Sequence, residues 1–116
     1  IECGRFGMAE PEYVARIQTA LNSLLVHLQM AAGKAKQQHP IYIDKRSTVD
    51  SDFTGFFYAE VKAGQKIEKG KKLGYLTDLF GKHLADVFSP VNGIILYMTS
   101  TPPISQGENL FSIGHL

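Results

Sequence analysis

The chain has 116 residues, of which 44% are hydrophobic and 20% charged, a globular composition that argues against disorder along the whole length. Twelve basic residues against eleven acidic ones leave a formal charge of +1, without the clear basic excess of a nucleic-acid binder. A single cysteine excludes an internal disulfide and fits a reducing, cytoplasmic setting, and no apolar run is long enough to span a bilayer. Neither nucleic acid nor membrane is therefore an expected partner. The sequence opens on Ile1-Glu2-Cys3-Gly4 rather than on Met, which reads as a chain entered partway through.

The first clear element is a helix beginning at Glu10-Pro11, where Pro suits the first helical position and Glu12 the positive end of the helix dipole. Val14, Ile17, Leu21, Leu24 and Leu28 recur at steps of three and four, and Leu25 widens the stripe. Such a face needs a partner, because a lone helix of this length is marginal in water. Ala31-Ala32-Gly33 offers a stop. Lys34 to Pro40 is polar and reads as a linker.

Beyond Pro40 the pattern changes. Ile41-Tyr42-Ile43 is a short β-type run, and Asp44 to Thr54 reads as polar and irregular. Apolar runs punctuated by Gly and Pro then predict strands over Phe56–Val61, Leu73–Thr77, Ala85–Phe88, Ile94–Met98 and Asn109–Ile113. A repeat is visible. Ile67, Gly70, Leu73 and Leu76 match Ile104, Gly107, Leu110 and Ile113 at an offset of 37 residues, and Gly55 and Gly93 are 38 apart. Two halves this short would bury their apolar faces against each other. The expected fold class is α+β and mostly β, one N-terminal amphipathic helix followed by short antiparallel strands.

Few residues suggest chemistry by themselves. The four histidines, His27, His39, His83 and His115, contain no pair at zinc-site spacing. His83-Leu84-Ala85-Asp86 is the one His-x-x-carboxylate, but regular strand alternation would send its two ends to opposite faces. The local expectation for each histidine is a surface or hydrogen-bonded side chain. Lys62, Lys66, Lys69, Lys71 and Lys72, offset by Glu60 and Glu68, read as a solvated hairpin, since no aromatic residues interleave. Arg5 could clamp a substrate carboxylate bidentately or cap local carbonyls. Alternation places Phe56 and Tyr58 on one face and Phe57 on the other.

Val61-Lys62-Ala63-Gly64-Gln65-Lys66-Ile67-Glu68-Lys69-Gly70-Lys71-Lys72-Leu73 resembles the V-x-x-G-x-x-V-x-x-G-x-x-L module of biotinyl and lipoyl domains, and Ser89-Pro90-Val91-Asn92-Gly93-Ile94-Ile95 resembles their A-P-x-x-G-x-V element. The resemblance covers Gly55 to Gly114 and implies a barrel-sandwich hybrid of two small sheets about a pseudo-twofold axis. A carrier of that kind modifies a lysine at the hairpin tip joining the halves. Thr77-Asp78-Leu79-Phe80-Gly81-Lys82-His83 lacks the carriers' M-K-M and D-K-A patterns, and Lys82 is the one candidate.

The whole chain resembles the C-terminal part of the succinylglutamate desuccinylase/aspartoacylase family, zinc hydrolases related to carboxypeptidases. Ile1-Glu2-Cys3-Gly4 looks like the family's apolar-Glu-x-Gly strand, Pro11–Met30 like its last helix, and Gly74-Tyr75-Leu76-Thr77-Asp78-Leu79-Phe80-Gly81 like its apolar-x-D-x-F-G signature; Ser89–Gly93 and Thr101–Gly107 also fit. By that resemblance residues 1–33 are the tail of a catalytic α/β domain, 34–43 a linker and 44–116 a C-terminal β domain that caps the active site. Glu2 is then the catalytic carboxylate, taking a proton from a zinc-bound water and passing it to the leaving amine.

The family's zinc is held by a His-x-x-Glu pair and a later His, all upstream. Zinc is thus a cofactor of the parent enzyme, and none is expected in this chain. The implied partners are an upstream catalytic domain and a small-molecule substrate, an N-acyl amino acid or similar, with a homo-oligomer left open. The chain alone is expected to be inactive, and its helix, parted from the catalytic domain, to be its least stable element. The alternatives are a docking module without chemistry or a carrier domain.

Overall fold

A computed structural model describes residues 3–4, 7–36 and 39–116. The chain divides into two compact units, Ile1–Pro40 and Ile41–Leu116.

The first unit is built on one helix, α1, Pro11–His27. Its start follows from Pro11 at the head, with the amides of Tyr13 and Val14 both donating to the Glu10 carbonyl at 3.0 and 3.1 Å. Its end differs from the expected Ala31-Ala32-Gly33 stop. Met30 N donates to Leu25 O at 2.8 Å and Gln29 N to Val26 O at 3.1 Å, the paired bonds of a Schellman motif. The left-handed residue of that motif is Gln29, at φ +60°, where glycine is the usual choice. No glycine marks the turn, so composition alone does not locate it. None of the helical residues is buried, and the stripe of Val14, Leu21, Leu24, Leu25 and Leu28 faces solvent.

The second unit contains eight strands: β1 Arg46–Asp50, β2 Gly55–Ala59, β3 Lys66–Ile67, β4 Lys72–Thr77, β5 His83–Phe88, β6 Gly93–Met98, β7 Pro103–Ile104 and β8 Asn109–His115. They form two antiparallel sheets, ordered β1-β8-β6-β3 and β5-β4-β2-β7. With one helix among the described residues, this is the mostly-β α+β class. The halves interlock: β3 of the first half pairs with β6 of the second, and β7 of the second pairs with β2 of the first. Neither half can close its sheet without the other.

The repeat is the physical basis of the core. Ile67, Leu73 and Leu76 from one half and Ile104, Leu110 and Ile113 from the other are all buried, joined by Phe57, Val61, Val87, Ile95 and Phe111. Gly70 and Gly107 take matching positive φ values of +81° and +84° at the turns before β4 and β8. The symmetry extends into polar turns. Ser89 Oγ donates to Val91 O at 2.6 Å, and Ser51 Oγ donates to Phe53 O at 2.7 Å. The Asn92 side chain accepts from Lys69 N at 2.7 Å, and Thr54 Oγ1 from Gln106 N at 3.0 Å.

Three local expectations change. Ile41-Tyr42-Ile43 forms no strand; instead Ile43 lies over Gly114, where a Cβ would stand 2.8 Å from Ile43 Cγ2 and 3.1 Å from Leu96 Cδ1. The polar stretch before Gly55 contains β1, an edge strand whose alternate residues Arg46, Thr48 and Asp50 face water, so it carries little apolar signal. The two-residue strands β3 and β7 are too short for any periodicity to reveal.

Candidate functional site

Glu2 and Arg5 lie outside the described residues. Of their neighbours, Gly4 holds φ +99°, and a Cβ there would lie 3.3 Å from the Tyr13 ring. Both conformation and space therefore call for glycine beside the candidate carboxylate. Cys3 is a half-buried free thiol.

The histidines are dispersed. His27 closes the last turn of α1 and His39 is exposed in the following segment. His115 Nε2 lies 2.8 Å from Ser47 Oγ, a pair 68 residues apart in sequence that β1–β8 pairing creates. His83 Nε2 lies 3.0 Å from Asp86 Oδ1, which corrects the expectation that these two side chains diverge. The β4–β5 register shifts between Leu76 and Thr77, opposing Leu76 to Ala85 but Thr77 to His83. The extra residue resets alternation and returns His83 to the face of Asp86. Among the described residues no group of three or more His, Cys, Asp or Glu could hold a metal. The described donor set does not fit a catalytic zinc.

What the β unit does assemble is a polar-aromatic cluster on the outer face of the β5-β4-β2-β7 sheet. Asp86 Oδ1 accepts from His83 and from Lys72 Nζ at 3.0 Å, and Lys72 also reaches Glu60 at 3.3 Å. The hydrogen bond to Asp86, reinforced by Glu60 and opposed by partial desolvation, raises the Lys72 ammonium above its ordinary pKa of 10.5. Tyr58 stacks on Tyr75 with ring centres 5.1 Å apart, Tyr75 stacks on His83 at 6.1 Å, and Lys72 lies 5.4 Å from the Tyr75 ring centre. The cluster is satisfied from within: each charge already has a partner, and the ring faces are used on one another. Lys62, Lys66, Lys69 and Lys71 are exposed as expected, but the segment is not a hairpin: β3 pairs with β6 in one sheet, and β4 with β2 and β5 in the other.

The hairpin joining the halves is tightly built. Asp78 Oδ1 accepts from the amides of Phe80 and Lys82, both at 2.9 Å, while Asp78 N donates to Lys82 O at 2.9 Å. Gly81 supplies φ +85°. The turn presents Leu79 at 69% and Phe80 at 95% exposure, with Lys82 exposed beside them.

No family profile and no curated protein sequence matches the chain. Its fold has clear counterparts. The ectoine utilization protein EutE (DoeB) of Ruegeria pomeroyi superposes with a TM-score of 0.79 at 19% identity, over 99% of this chain and 38% of that one. A succinylglutamate desuccinylase from Silicibacter sp. gives 0.76 at 18% identity, over 98% and 36%. A succinylglutamate desuccinylase/aspartoacylase from Rhodobacter sphaeroides gives 0.74 at 16% identity, over 97% and 38%. Across essentially its whole length the chain therefore has the fold of part of the succinylglutamate desuccinylase/aspartoacylase proteins, little more than a third of each. Among the described residues no helix is long and apolar enough to cross a membrane.

Proposed function

We propose that this chain is the C-terminal region of a cytoplasmic, zinc-dependent amide hydrolase, a deacylase of N-acyl amino acids or related small molecules. The observation that carries the reading is the fold likeness to EutE over 99% of the chain at a TM-score of 0.79. The Ile1-Glu2-Cys3-Gly4 motif and the Gly74–Gly81 signature add support from sequence. The zinc ligands lie upstream of this chain, as the family resemblance implies.

Within the site, Glu2 moves a proton from the attacking water to the leaving amine, a task suited to a carboxylate. Arg5 binds a substrate carboxylate through its paired donors. The β unit caps the site, and the chain alone turns over no substrate. The test is an assay of the longer polypeptide, supplied with zinc, against N-acyl amino acids. Glu2→Gln is expected to lower kcat about 10²–10⁴-fold, and Arg5→Lys to raise KM. An unimpaired Glu2→Gln enzyme, or turnover by the isolated chain, would refute the assignment.

One observation favours a second reading. Lys82 is exposed at the tip of the hairpin joining the halves, the position a carrier domain would modify. Intact-mass analysis of protein from its native source decides it, since a biotinyl or lipoyl adduct on Lys82 would establish a carrier. A docking module without chemistry would instead lack His-x-x-Glu upstream of Ile1.

A further inference from the structure

The pseudo-twofold of the β unit is broken at one pole. The bond from Asp78 N to Lys82 O, 2.9 Å, has its equivalent 37 residues away in the bond from His115 N to Lys45 O, also 2.9 Å. By the same offset Phe80 corresponds to Ile43 and Thr77 to Gly114, while Tyr58 corresponds to Leu96 at 38. Ile43 lies down on its sheet over Gly114, which Leu96 also covers. Phe80 does not, and is 95% exposed.

Two features hold it away. Thr77 carries a side chain where Gly114 has none, and its Oγ1 donates to Asp78 O at 3.0 Å. The Asp78 carboxylate, accepting from both the Phe80 and Lys82 amides, then closes the turn with the apolar pair outside. One structural position thus lays an apolar residue on its sheet, half-buried, at one pole and leaves it in solvent at the other. The exposed one is held by a hydrogen-bonded turn, so little ordering entropy would be lost when it docks.

We propose that Leu79 and Phe80 form an anchor that inserts into an apolar pocket in the remainder of a longer polypeptide containing this chain. The inference rests on the reading of this chain as part of a larger hydrolase. Fold neighbours of the same architecture extend well beyond it, the chain covering 36% and 38% of two of them. Area decides against a second copy. Two side chains at a convex tip bury far less than the roughly 800 Å² per partner of a stable interface, whereas a tethered contact gains from high effective concentration.

The test places p-benzoylphenylalanine at position 80 of the longer polypeptide, irradiates it and maps the crosslink by peptide mass spectrometry. Attachment to apolar residues upstream of Ile1 in the same polypeptide is the expected result. A crosslink between copies, or none, would overturn it. In parallel, Phe80→Ser should lower the thermal midpoint of the longer polypeptide and leave that of this chain unchanged; equal effects in both would also overturn it. Zinc-dependent deacylation by the wild-type polypeptide is measured separately. Its loss refutes the hydrolase reading and not the anchor, while full activity without the crosslink refutes the anchor alone.

Discussion

Single atoms decide two glycines. A Cβ on Gly55 would collide with the Thr77 carbonyl, and one on Gly93 with the Gly114 carbonyl, equivalent contacts in the two halves. The obstacle is backbone within a paired strand, so it cannot swing aside. Gly55→Ala and Gly93→Ala are each expected to destabilise the β unit by about 2–3 kcal/mol, read from urea unfolding midpoints at constant slope. Lys72 makes the second residue-level prediction. Its pKa is raised in the folded state, so its stabilising effect is complete below pH 10.5 and fades as pH climbs through the higher folded value. The difference in unfolding midpoint between wild type and Lys72→Met isolates the effect, and it should shrink toward zero on the alkaline side.

Among the elements, α1 and the strands contrast most. Helix α1 buries none of its residues, whereas Leu110, Phe111 and Ile113 of β8 are fully buried between paired strands. A helix without tertiary burial is close to the coil transition. Amides from Leu21 to Leu28 should therefore exchange with solvent orders of magnitude faster than those from Leu110 to Ile113 in a hydrogen-exchange time course. The Schellman stop offers an independent handle. Gln29 carries a side chain at φ +60°, so Gln29→Gly should favour the folded helix end by about 0.5–1 kcal/mol, visible as slower exchange at Leu28 to Met30. Comparable exchange in helix and β8 would contradict the exposure of the stripe.

For the whole molecule, the equivalence of the 78–82 turn with the join between Lys45 and His115 has a topological consequence. The β unit begins and ends at one place, so its ends can be linked and the chain opened elsewhere. A circular permutant of residues 41–116, its old ends joined by a short linker and reopened between Phe80 and Gly81, is expected to fold with a stability within about 1 kcal/mol of the unpermuted unit. Loss of cooperative unfolding in the permutant would show that the hairpin at 78–82 is needed for folding.

Much of this was legible in residue order. The helix start at Pro11 and the repeat through Ile67, Leu73, Leu76 and their counterparts follow from periodicity and glycine placement, because the residues concerned act through local geometry and through a core that any apolar face must find. The polar edge strand β1, the Gln29 helix stop, the return of His83 to Asp86 and the meeting of Ser47 with His115 were not legible. Each depends on which strand lies beside which, or on a backbone conformation that several residue types can adopt. Sequence alone thus determined where apolar groups must be buried and where the chain must turn. Only tertiary structure decided which polar groups meet, because strand pairing, with its bulges, joins positions that no sequence interval marks; it also left Phe80 in solvent where its counterpart Ile43 lies half-buried over Gly114.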